Sequence, residues 1–335
     1  MSTAPTPLLF CLSESHVLGA GIARHAGLEL APLEERAFEA GEFKLRPLIS
    51  VRDRPVFVVQ TLASSPEASV AQRLVRLLFL VFGLRDAGAS RITACIPYLA
   101  FARKDRRTQP RDPVNARYVA ELLEAAGVGR VVALDVHNPA ALDNGFRVPL
   151  DHLSAQPLFA AHVAEHQGPA ALAVASPDVG GVKRAQLFRE LLAERLGREV
   201  DLAFIEKRRA LGVVSGGQVV GDVRDRSLIV LDDLCATGGT LIRAAQALRA
   251  AGARAVHVAV THAPLPAGIA ALQACAEIDG ILYTDSVGTA LGPADGSSAR
   301  TTVLPIAPLY GEALRRMCSG EPLVPLLRRW PPAAG

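Results

Sequence analysis

The sequence predicts an α/β fold built on mostly parallel sheets, and three observations lead to this prediction. Three junctions share one pattern, in which a helix ends at Ala-Gly, a short turn with a basic residue follows, and an apolar strand begins; they are DAGASRITACIPYL, AAGVGRVVALDVHNP and AAGARAVHVAVTHAP. Glycine is expected just past a helix end, because it adopts the left-handed conformation at low cost. The strands that follow are β-branched and apolar on both faces, as in parallel sheets. Alternating helices and strands in turn imply right-handed crossovers.

Eight strands are expected, in two sets of four. They lie near residues 7–12, 56–60, 91–96 and 130–136, and then near 171–176, 202–205, 227–231 and 255–261. The segment GFRVPLDHLSAQPLF has no strong periodicity and separates the two sets. We therefore expect an N-terminal domain over residues 1–150, a C-terminal domain over residues 151–310, and a C-terminal helix and tail over residues 311–335.

A helix is expected between the second and third strands of the first set. Its apolar residues at helical spacing are Leu74, Leu77, Leu78 and Val81. Phe79, Leu80 and Phe82 place apolar side chains on its other faces as well. Such a helix is either deeply buried or packed against another subunit.

Composition excludes several classes of function. Of the 335 residues, 50% are hydrophobic and 21% are charged, which is typical of a globular protein. The net charge of +3 gives no reason to expect nucleic acid as a partner. The five cysteines are scattered without a CxxC pair, so a zinc site is not expected. No apolar stretch is long enough to span a bilayer and no signal peptide is evident, so we expect a cytoplasmic enzyme without a membrane partner.

The clearest candidate site is the stretch SLIVLDDLCATGGTLIRAAQAL. Asp232 and Asp233 end an apolar strand, where ligands of open parallel sheets bind. The turn that follows consists of Ala236, Thr237, Gly238, Gly239 and Thr240. Glycines let backbone N–H groups approach a phosphate, and the next helix adds the positive end of its dipole. The carboxylates suit vicinal hydroxyls, so the stretch predicts a sugar phosphate; the alternative is an ordinary capped helix.

Other predicted strands also end in polar residues. A basic loop contains Arg103, Lys104, Asp105, Arg106 and Arg107, and its cations suit a triphosphate. The turn LDVHNP carries His137, SPDVGGVKRA carries Asp178, and AFIEKRR carries Lys207, Arg208 and Arg209. Three of these features have an ordinary alternative: a solvated loop for the first, a hydrogen-bonded core residue for His137, and a solvated charge run for AFIEKRR.

The turn after Asp233 resembles the ribose-5-phosphate-binding loop of the type I phosphoribosyltransferase fold. Adenine phosphoribosyltransferases often have alanine at the place of Ala236, whereas ribose-phosphate diphosphokinases usually have aspartate there. The rest of the chain resembles the diphosphokinases. The stretch ACIPYLAFARKDRR is similar to their nucleotide-binding segment, with Lys104 in place of glutamine. RAFEAGEFKLRP is similar to their Phe-Ser-Asp-Gly-Glu element, in which Phe38, Gly41 and Glu42 are kept and Ala40 replaces the aspartate.

The resemblance implies two tandem phosphoribosyltransferase-like domains and transfer of the diphosphoryl group of ATP to the C1 hydroxyl of ribose 5-phosphate. The aspartate pair and its turn would hold ribose 5-phosphate. Phe38, Gly41 and Glu42, from a neighbouring subunit, would hold the nucleotide together with Arg103, Lys104 and Asp105. His137 and Asp178 would place Mg²⁺, and Lys207 and Arg209 would be catalytic residues on a flap.

The same resemblance implies a homo-oligomer, built from dimers that assemble into hexamers. Two other functions remain open at this point. One is a phosphoribosyltransferase acting on a purine base, and the other is a non-catalytic regulatory paralogue of the synthetase. The allosteric effectors and the nucleotide donor preference also remain open.

Overall fold

The computed structural model describes residues 5–166, 170–210, 213–288 and 300–331, and for residues 207–210 and 213–217 it describes the backbone alone. The chain divides into two compact units. The first comprises Met1–Leu153, Ser286–Thr289 and Ile306–Leu323, and the second comprises Ser154–Asp285, Ala290–Pro305 and Val324–Gly335.

The first unit is built on a sheet of five parallel strands in the order β1-β4-β5-β6-β7. These strands are β1 Leu8–Cys11, β4 Pro55–Val59, β5 Arg91–Ile96, β6 Arg130–Leu134 and β7 Leu150–Leu153. A separate antiparallel ribbon is formed by β2 Leu33–Ala37 and β3 Phe43–Pro47. The helices of this unit are α1 His16–Ala26, α2 Val70–Asp86, α3 Asn115–Ala126, α4 Pro139–Gly145 and α9 Ala307–Ser319.

The second unit is built on a sheet of seven strands in the order β10-β9-β8-β11-β12-β13-β14. They are β8 Leu172–Ser176, β9 Asp201–Ala210, β10 Val213–Val220, β11 Ser227–Leu234, β12 Ala255–His262, β13 Gly280–Thr284 and β14 Thr301–Leu304. β10 runs antiparallel to β9, and the pairs from β9 to β14 are parallel. The helices are α5 Gln156–His166, α6 Val182–Leu196, α7 Gly239–Ala250 and α8 Pro266–Ala274.

The predicted α/β class is confirmed, and a strand lies at each of the eight expected places. The junction glycines also behave as predicted: Gly88, Gly127 and Gly252 have φ values of 87°, 114° and 96°. The sequence did not indicate β2, β3, β7, β10, β13 or β14. Most of these are short or only partly buried, so their apolar pattern is weak.

The C-terminal segment differs from the expected helix and tail of residues 311–335. α9 begins earlier, at Ala307, and packs against α1 within the first unit. Glycine permits this contact, because a Cβ atom at Gly311 would lie 2.3 Å from the Cβ atom of His25. A Cβ atom at Gly21 would likewise lie 2.8 Å from that of Ala307. The two helix backbones therefore approach more closely than larger residues would allow.

Helix α2 resolves part of the ambiguity in its sequence. Leu77, Val81 and Leu84 are fully buried in the core of the first unit. Phe79 is 57% exposed, and its ring lies 5.4 Å from that of Phe43 in β3. Within its own unit the helix is therefore not buried on all faces.

No described helix combines the length and the apolar character needed to span a membrane.

Candidate functional site

Two carboxylates stand at the carboxyl end of β11. Asp232 and Asp233 lie inside the strand, which continues to Leu234, three residues beyond the expected end at residue 231. Arg184, in the first turn of α6, contacts both: its Nη1 atom lies 3.3 Å from Oδ1 of Asp232 and 2.9 Å from Oδ1 of Asp233. The backbone N–H of Asp233 also donates to Oδ1 of Asp232, at 2.9 Å. A cation on a neighbouring helix thus holds the carboxylate pair in place.

The environment of Asp232 favours its protonated form. The pKa of Asp232 is raised, first because burial removes the carboxylate from water and then because the carboxylate of Asp233 lies beside it. The charge of Arg184 acts in the opposite direction and lowers that pKa. A ligand with adjacent hydroxyls could donate hydrogen bonds to these oxygens and so compensate their mutual repulsion.

The glycine turn places backbone N–H groups at a helix start. Gly238 has a φ of 78° and is the residue that caps α7. A Cβ atom there would lie 3.0 Å from the carbonyl oxygen of Gly268, so both the backbone conformation and the space favour glycine. Because the capping residue has no side chain, it cannot satisfy the N–H groups in the first turn of α7. Thr237 is exposed beside them, and together they suit an anion.

The turn is held by its packing against α8. A Cβ atom at Gly268 would lie 2.6 Å from the carbonyl oxygen of Ala236, so the two segments are in close contact. Cys235 is buried, and its backbone N–H donates to the carbonyl oxygen of His262 at 2.8 Å. Burial raises the pKa of the Cys235 thiol to about 11, and the charge of Asp232 adds to this effect. The thiol is therefore neutral near pH 7 and adds no negative charge beside the turn.

Asp178 follows β8, the strand next to β11. Its carboxylate accepts a hydrogen bond from the N–H of Gly181 at 3.3 Å, and its carbonyl oxygen accepts one from the hydroxyl of Ser176 at 2.6 Å. These bonds give the residue a local role in starting α6. In the portions of the chain that the structure describes, no group of three or more His, Cys, Asp or Glu side chains could hold a metal by itself.

Lys207 and Arg209 lie in β9, and their side chains are outside the described residues. Their backbones pair with β10, Lys207 opposite Gly217 and Arg209 opposite Val214, and the register shifts between these two pairs. The two predicted catalytic residues are thus on an antiparallel ribbon at the edge of the second sheet.

In the first unit, the basic loop after β5 is organised around Asp112. Its carboxylate lies 2.5 Å from Nζ of Lys104 and accepts hydrogen bonds from the N–H groups of Thr108 and Gln109 at 2.9 and 3.0 Å. The pKa of Asp112 is therefore lowered well below its usual range, with the bond from Lys104 as the largest cause. The predicted nucleotide residue Lys104 is engaged in shaping the loop, whereas Arg103 is exposed.

Asp105 links this loop to the turn after β6. Oδ2 of Asp105 accepts a hydrogen bond from Nδ2 of Asn138 at 2.5 Å, and Asn138 also caps α4 by accepting from the N–H of Ala141. His137, the preceding residue, is exposed. The structure thus brings the predicted residues Asp105 and His137 to neighbouring turns of one sheet edge.

Three further predicted nucleotide residues lie at the tip of the β2–β3 ribbon. Phe38, Gly41 and Glu42 are exposed, and the N–H of Phe38 donates to the carbonyl oxygen of Glu42 at 2.8 Å. Ala40 and Gly41 have positive φ values of 61° and 85°. Across the described residues, no hydrogen bond or ion pair joins this tip to the basic loop.

Sequence reasoning missed a cluster at the base of the ribbon. Arg76 of α2 pairs with Glu35 of β2 and, at 2.7 Å, with Glu14, which follows β1. Glu35 also accepts hydrogen bonds from the N–H and hydroxyl of Ser13, at 2.8 and 3.0 Å. These contacts fix the base of the ribbon against the sheet, and therefore the direction in which its tip extends.

Two further residues, Arg184 and Asn138, were not predicted from the sequence. Both lie inside stretches that the sequence singled out, SPDVGGVKRA and LDVHNP. Asn138 immediately before Pro139 is a typical start of a helix, and this signal could have indicated its position. Nothing in the sequence indicated that Arg184 reaches β11.

Comparisons with known proteins agree with this arrangement. Residues 8–127 match the model for the N-terminal domain of ribose phosphate pyrophosphokinase, and residues 158–275 match that for the phosphoribosyl transferase domain. A ribose-phosphate pyrophosphokinase of Hyphomonas neptunium is 36% identical over 96% of this chain and 99% of its own. One from Granulibacter bethesdensis is 38% identical over 90% of this chain and 93% of its own. The crystal structure of phosphoribosylpyrophosphate synthetase from Mycobacterium smegmatis superposes with a TM-score of 0.83 at 33% identity, covering 94% of this chain and all of that one.

Proposed function

We propose that this chain catalyses the reaction for which its relatives are named, because it belongs to the ribose-phosphate pyrophosphokinase family. In this reaction the diphosphoryl group of ATP is transferred to the C1 hydroxyl of ribose 5-phosphate, and the products are 5-phosphoribosyl 1-diphosphate and AMP. The observation that carries the proposal is the pair Asp232 and Asp233 beside a helix start without a side-chain cap. The two carboxylates can accept hydrogen bonds from a diol, and the N–H groups at the helix start can donate to a phosphate. Both lie within one short stretch of the chain.

Ribose 5-phosphate binds in the second unit under this proposal. Thr237, Gly238, Gly239 and Thr240 anchor the 5-phosphate through backbone N–H groups and hydroxyls, with the N–H of Ala236 available beside them. Asp232 and Asp233 accept hydrogen bonds from the ribose hydroxyls, held in position by Arg184.

ATP binds in the first unit. Exposed Arg103 contributes a cation to the phosphates, and the hydrogen-bonded pair of Asp105 and Asn138 fixes the segment that carries it. Lys104 supports the same loop from within, through Asp112.

The transfer itself needs positioning and charge neutralisation more than covalent help from the protein. The C1 hydroxyl oxygen forms a bond to the β-phosphorus, the bond from that phosphorus to the α–β bridging oxygen breaks, and AMP leaves with the electron pair while the hydroxyl loses its proton. Lys207 and Arg209 are assigned to the charge on the transferring group by the resemblance alone. Losing such a donor typically lowers kcat by about 10²–10³.

The donor set fits Mg²⁺, which takes few protein oxygens and completes its shell with waters and substrate phosphates. The carboxylate of Asp178, which accepts a hydrogen bond from the N–H of Gly181, supplies an oxygen of this kind. His137 offers nitrogen, which suits contact with a metal-bound water better than with the ion. When bound, Mg²⁺ would neutralise the phosphate oxygens and lower the pKa of the attacking hydroxyl.

A homo-oligomer forms part of the proposal. The residues at the ribbon tip are exposed, so they are free to complete the nucleotide site of a neighbouring copy. Phe79 and Val75 on α2 are 57% and 39% exposed, which is unusual for large apolar side chains and suits burial between copies. Light scattering can measure whether dimers assemble further into hexamers. The cytoplasmic location expected from the sequence also remains a prediction.

One assay tests the function. The chain is incubated with ribose 5-phosphate, ATP and Mg²⁺, and AMP and 5-phosphoribosyl 1-diphosphate are measured. Absence of product at several phosphate concentrations would contradict the proposal and favour a non-catalytic paralogue. Consumption of 5-phosphoribosyl 1-diphosphate with a purine base would indicate a transferase, which the match over residues 8–127 argues against.

Two variants test the assigned residues. Asp233→Asn should raise the KM for ribose 5-phosphate far more than that for ATP, and an equal rise in both would show that the aspartates are wrongly assigned. Lys207→Ala should lower kcat, and undiminished product formation would remove the flap assignment.

A further inference from the structure

Two histidines form a stacked pair near the end of α5, and neither is among the residues assigned to the reaction. His162 and His166 are one helical turn apart, and their rings have centroids 4.1 Å apart with 23° between the ring planes. Residues four apart lie on the same face of a helix, so the two imidazoles belong to one surface.

The tautomer of His166 follows from its hydrogen bond. Its Nδ1 atom lies 2.8 Å from the carbonyl oxygen of His162. A carbonyl oxygen can only accept, so Nδ1 carries the hydrogen and Nε2 is left with a lone pair. Histidines that bind metals commonly have this arrangement, in which a backbone carbonyl fixes the second ring nitrogen.

The ring separation is close to that of a chelate. With metal–nitrogen bonds of about 2.0–2.1 Å and bond angles near those of tetrahedral or octahedral sites, the two ring centroids would be roughly 4.5–5 Å apart. From the observed stack, with centroids 4.1 Å apart and 23° between the planes, the rings must separate by less than about 1 Å and turn so that their in-plane nitrogen lone pairs converge. Both side chains are at least partly accessible, so side-chain rotation alone could provide this movement.

The electrostatic surroundings also suit a cation. His166 lies in the last turn of α5, where the helix dipole presents its negative end, and His162 lies one turn before it. The intervening Glu165 is exposed and adds a negative charge on the same turn.

We propose that His162 and His166 form a binding site for a borderline divalent cation such as Zn²⁺ or Ni²⁺, with water in the remaining positions. Imidazole nitrogens prefer these ions, whereas Mg²⁺ prefers oxygen, so the site is chemically distinct from the one assigned to the reaction. No third His, Cys, Asp or Glu joins the pair among the residues whose side chains are described. The site is therefore bidentate, and its binding depends on both rings.

The test is titration calorimetry of the full chain, without a histidine tag, with Ni²⁺ and separately with Zn²⁺. We expect one site, and we expect His162→Ala and His166→Ala each to weaken it by about a hundredfold, because a chelate gains that much from its second ligand. If either single variant loses ion binding while its ribose-phosphate diphosphokinase activity in Mg²⁺ is unchanged, the histidine site is separate from the catalytic one.

His25→Ala is the matched control. His25 is an exposed histidine in the last turn of α1, and its Nδ1 atom lies 2.9 Å from the carbonyl oxygen of Gly21, so it has the same orientation without a second histidine one turn earlier. This variant should bind both ions as the wild type does. His162→Gln and His166→Gln repeat the test with polar side chains, should alanine disturb the helix. Absence of binding, or binding that survives both single variants, would overturn the proposal.

Discussion

The Arg184→Met variant tests how the carboxylate pair at the end of β11 is held together. It removes the guanidinium that contacts Asp232 and Asp233 at 3.3 and 2.9 Å and keeps a long side chain in its place. At an effective dielectric constant of about 20, each contact corresponds to roughly 5 kcal/mol of Coulomb attraction before desolvation is counted. Removing one partner of a buried pair costs about 3–5 kcal/mol of unfolding free energy, and we expect the lower end of this range. The reason is that Arg184 and Asp232 each keep 20% of their side-chain exposure.

The size of this loss should depend on pH. The pKa of Asp232 is raised in the folded protein, and Arg184 opposes that rise. Without the guanidinium the pKa rises further, so the folded variant binds more protons than its unfolded chain. Its unfolding free energy is then highest at low pH and falls as pH increases, by up to about 1.4 kcal/mol per pH unit. The wild type loses stability in the same way until the pH passes the pKa of its own Asp232, which burial raises to about 8, so the difference between the two proteins should be larger at pH 9 than at pH 7.

Urea denaturation of both proteins at the two pH values measures this difference. Lys183→Met is the matched control, because Lys183 is the exposed neighbour of Arg184 in the same turn and should leave stability nearly unchanged. A loss that is equal at pH 7 and pH 9 would refute the reasoning. It would show that Arg184 contributes packing, and that its charge does not neutralise the aspartates.

Four further variants test backbone conformation and loop structure. Gly238→Ala should lower the unfolding free energy by about 1–2 kcal/mol, because of its positive φ and the nearby oxygen of Gly268, and should raise the KM for ribose 5-phosphate. Gly83 lies in the interior of α2 with open space around it, so Gly83→Ala should instead raise the melting temperature, corresponding to about 0.5–1 kcal/mol. A stabilised Gly238→Ala variant together with a destabilised Gly83→Ala variant would contradict the argument. Ala40→Gly should raise the melting temperature slightly, by at most about 1 kcal/mol equivalent, since alanine is disfavoured at a φ of 61°; an unchanged or lower value would argue against strain there. Asp112→Ala should raise the KM for ATP without changing that for ribose 5-phosphate, because it releases Lys104 and the loop. Steady-state kinetics at fixed Mg²⁺ measures both constants, and an equal rise in the two would contradict this prediction.

The sheets could be predicted where the chain is most apolar. Central strands such as β5 and β11 are buried on both sides, so their composition alone indicates them. The ribbon strand β2 has the sequence LEERA and only partial burial, so no apolar pattern indicates it. Its stability comes from pairing with β3 and from contacts of Glu35 with distant residues. Such contacts are properties of the folded chain and leave no local signal.

The candidate site shows the same division. The aspartate pair and the glycine turn are consecutive in sequence, so their chemistry could be recognised together. Arg184 is 48 residues from Asp232, and in sequence it is one basic residue in a helix that carries several. Lys104 was predicted to contact the nucleotide, but its position opposite Asp112 depends on how the loop folds back on itself. Tertiary contacts between distant segments therefore account for what the sequence alone could not provide.

The packing of α9 against α1 has a consequence for synthesis on the ribosome. The first unit includes residues Ile306–Leu323, which are translated only after nearly the whole second unit. At about 5–20 residues per second, the roughly 150 residues in between take about 8–30 s to make. During that interval the nascent first unit exposes the face of α1 that α9 will cover, where Gly21 lies. The N-terminal part of this unit is synthesised first, yet the unit is completed only near the end of translation, so this face of α1 stays uncovered in the meantime.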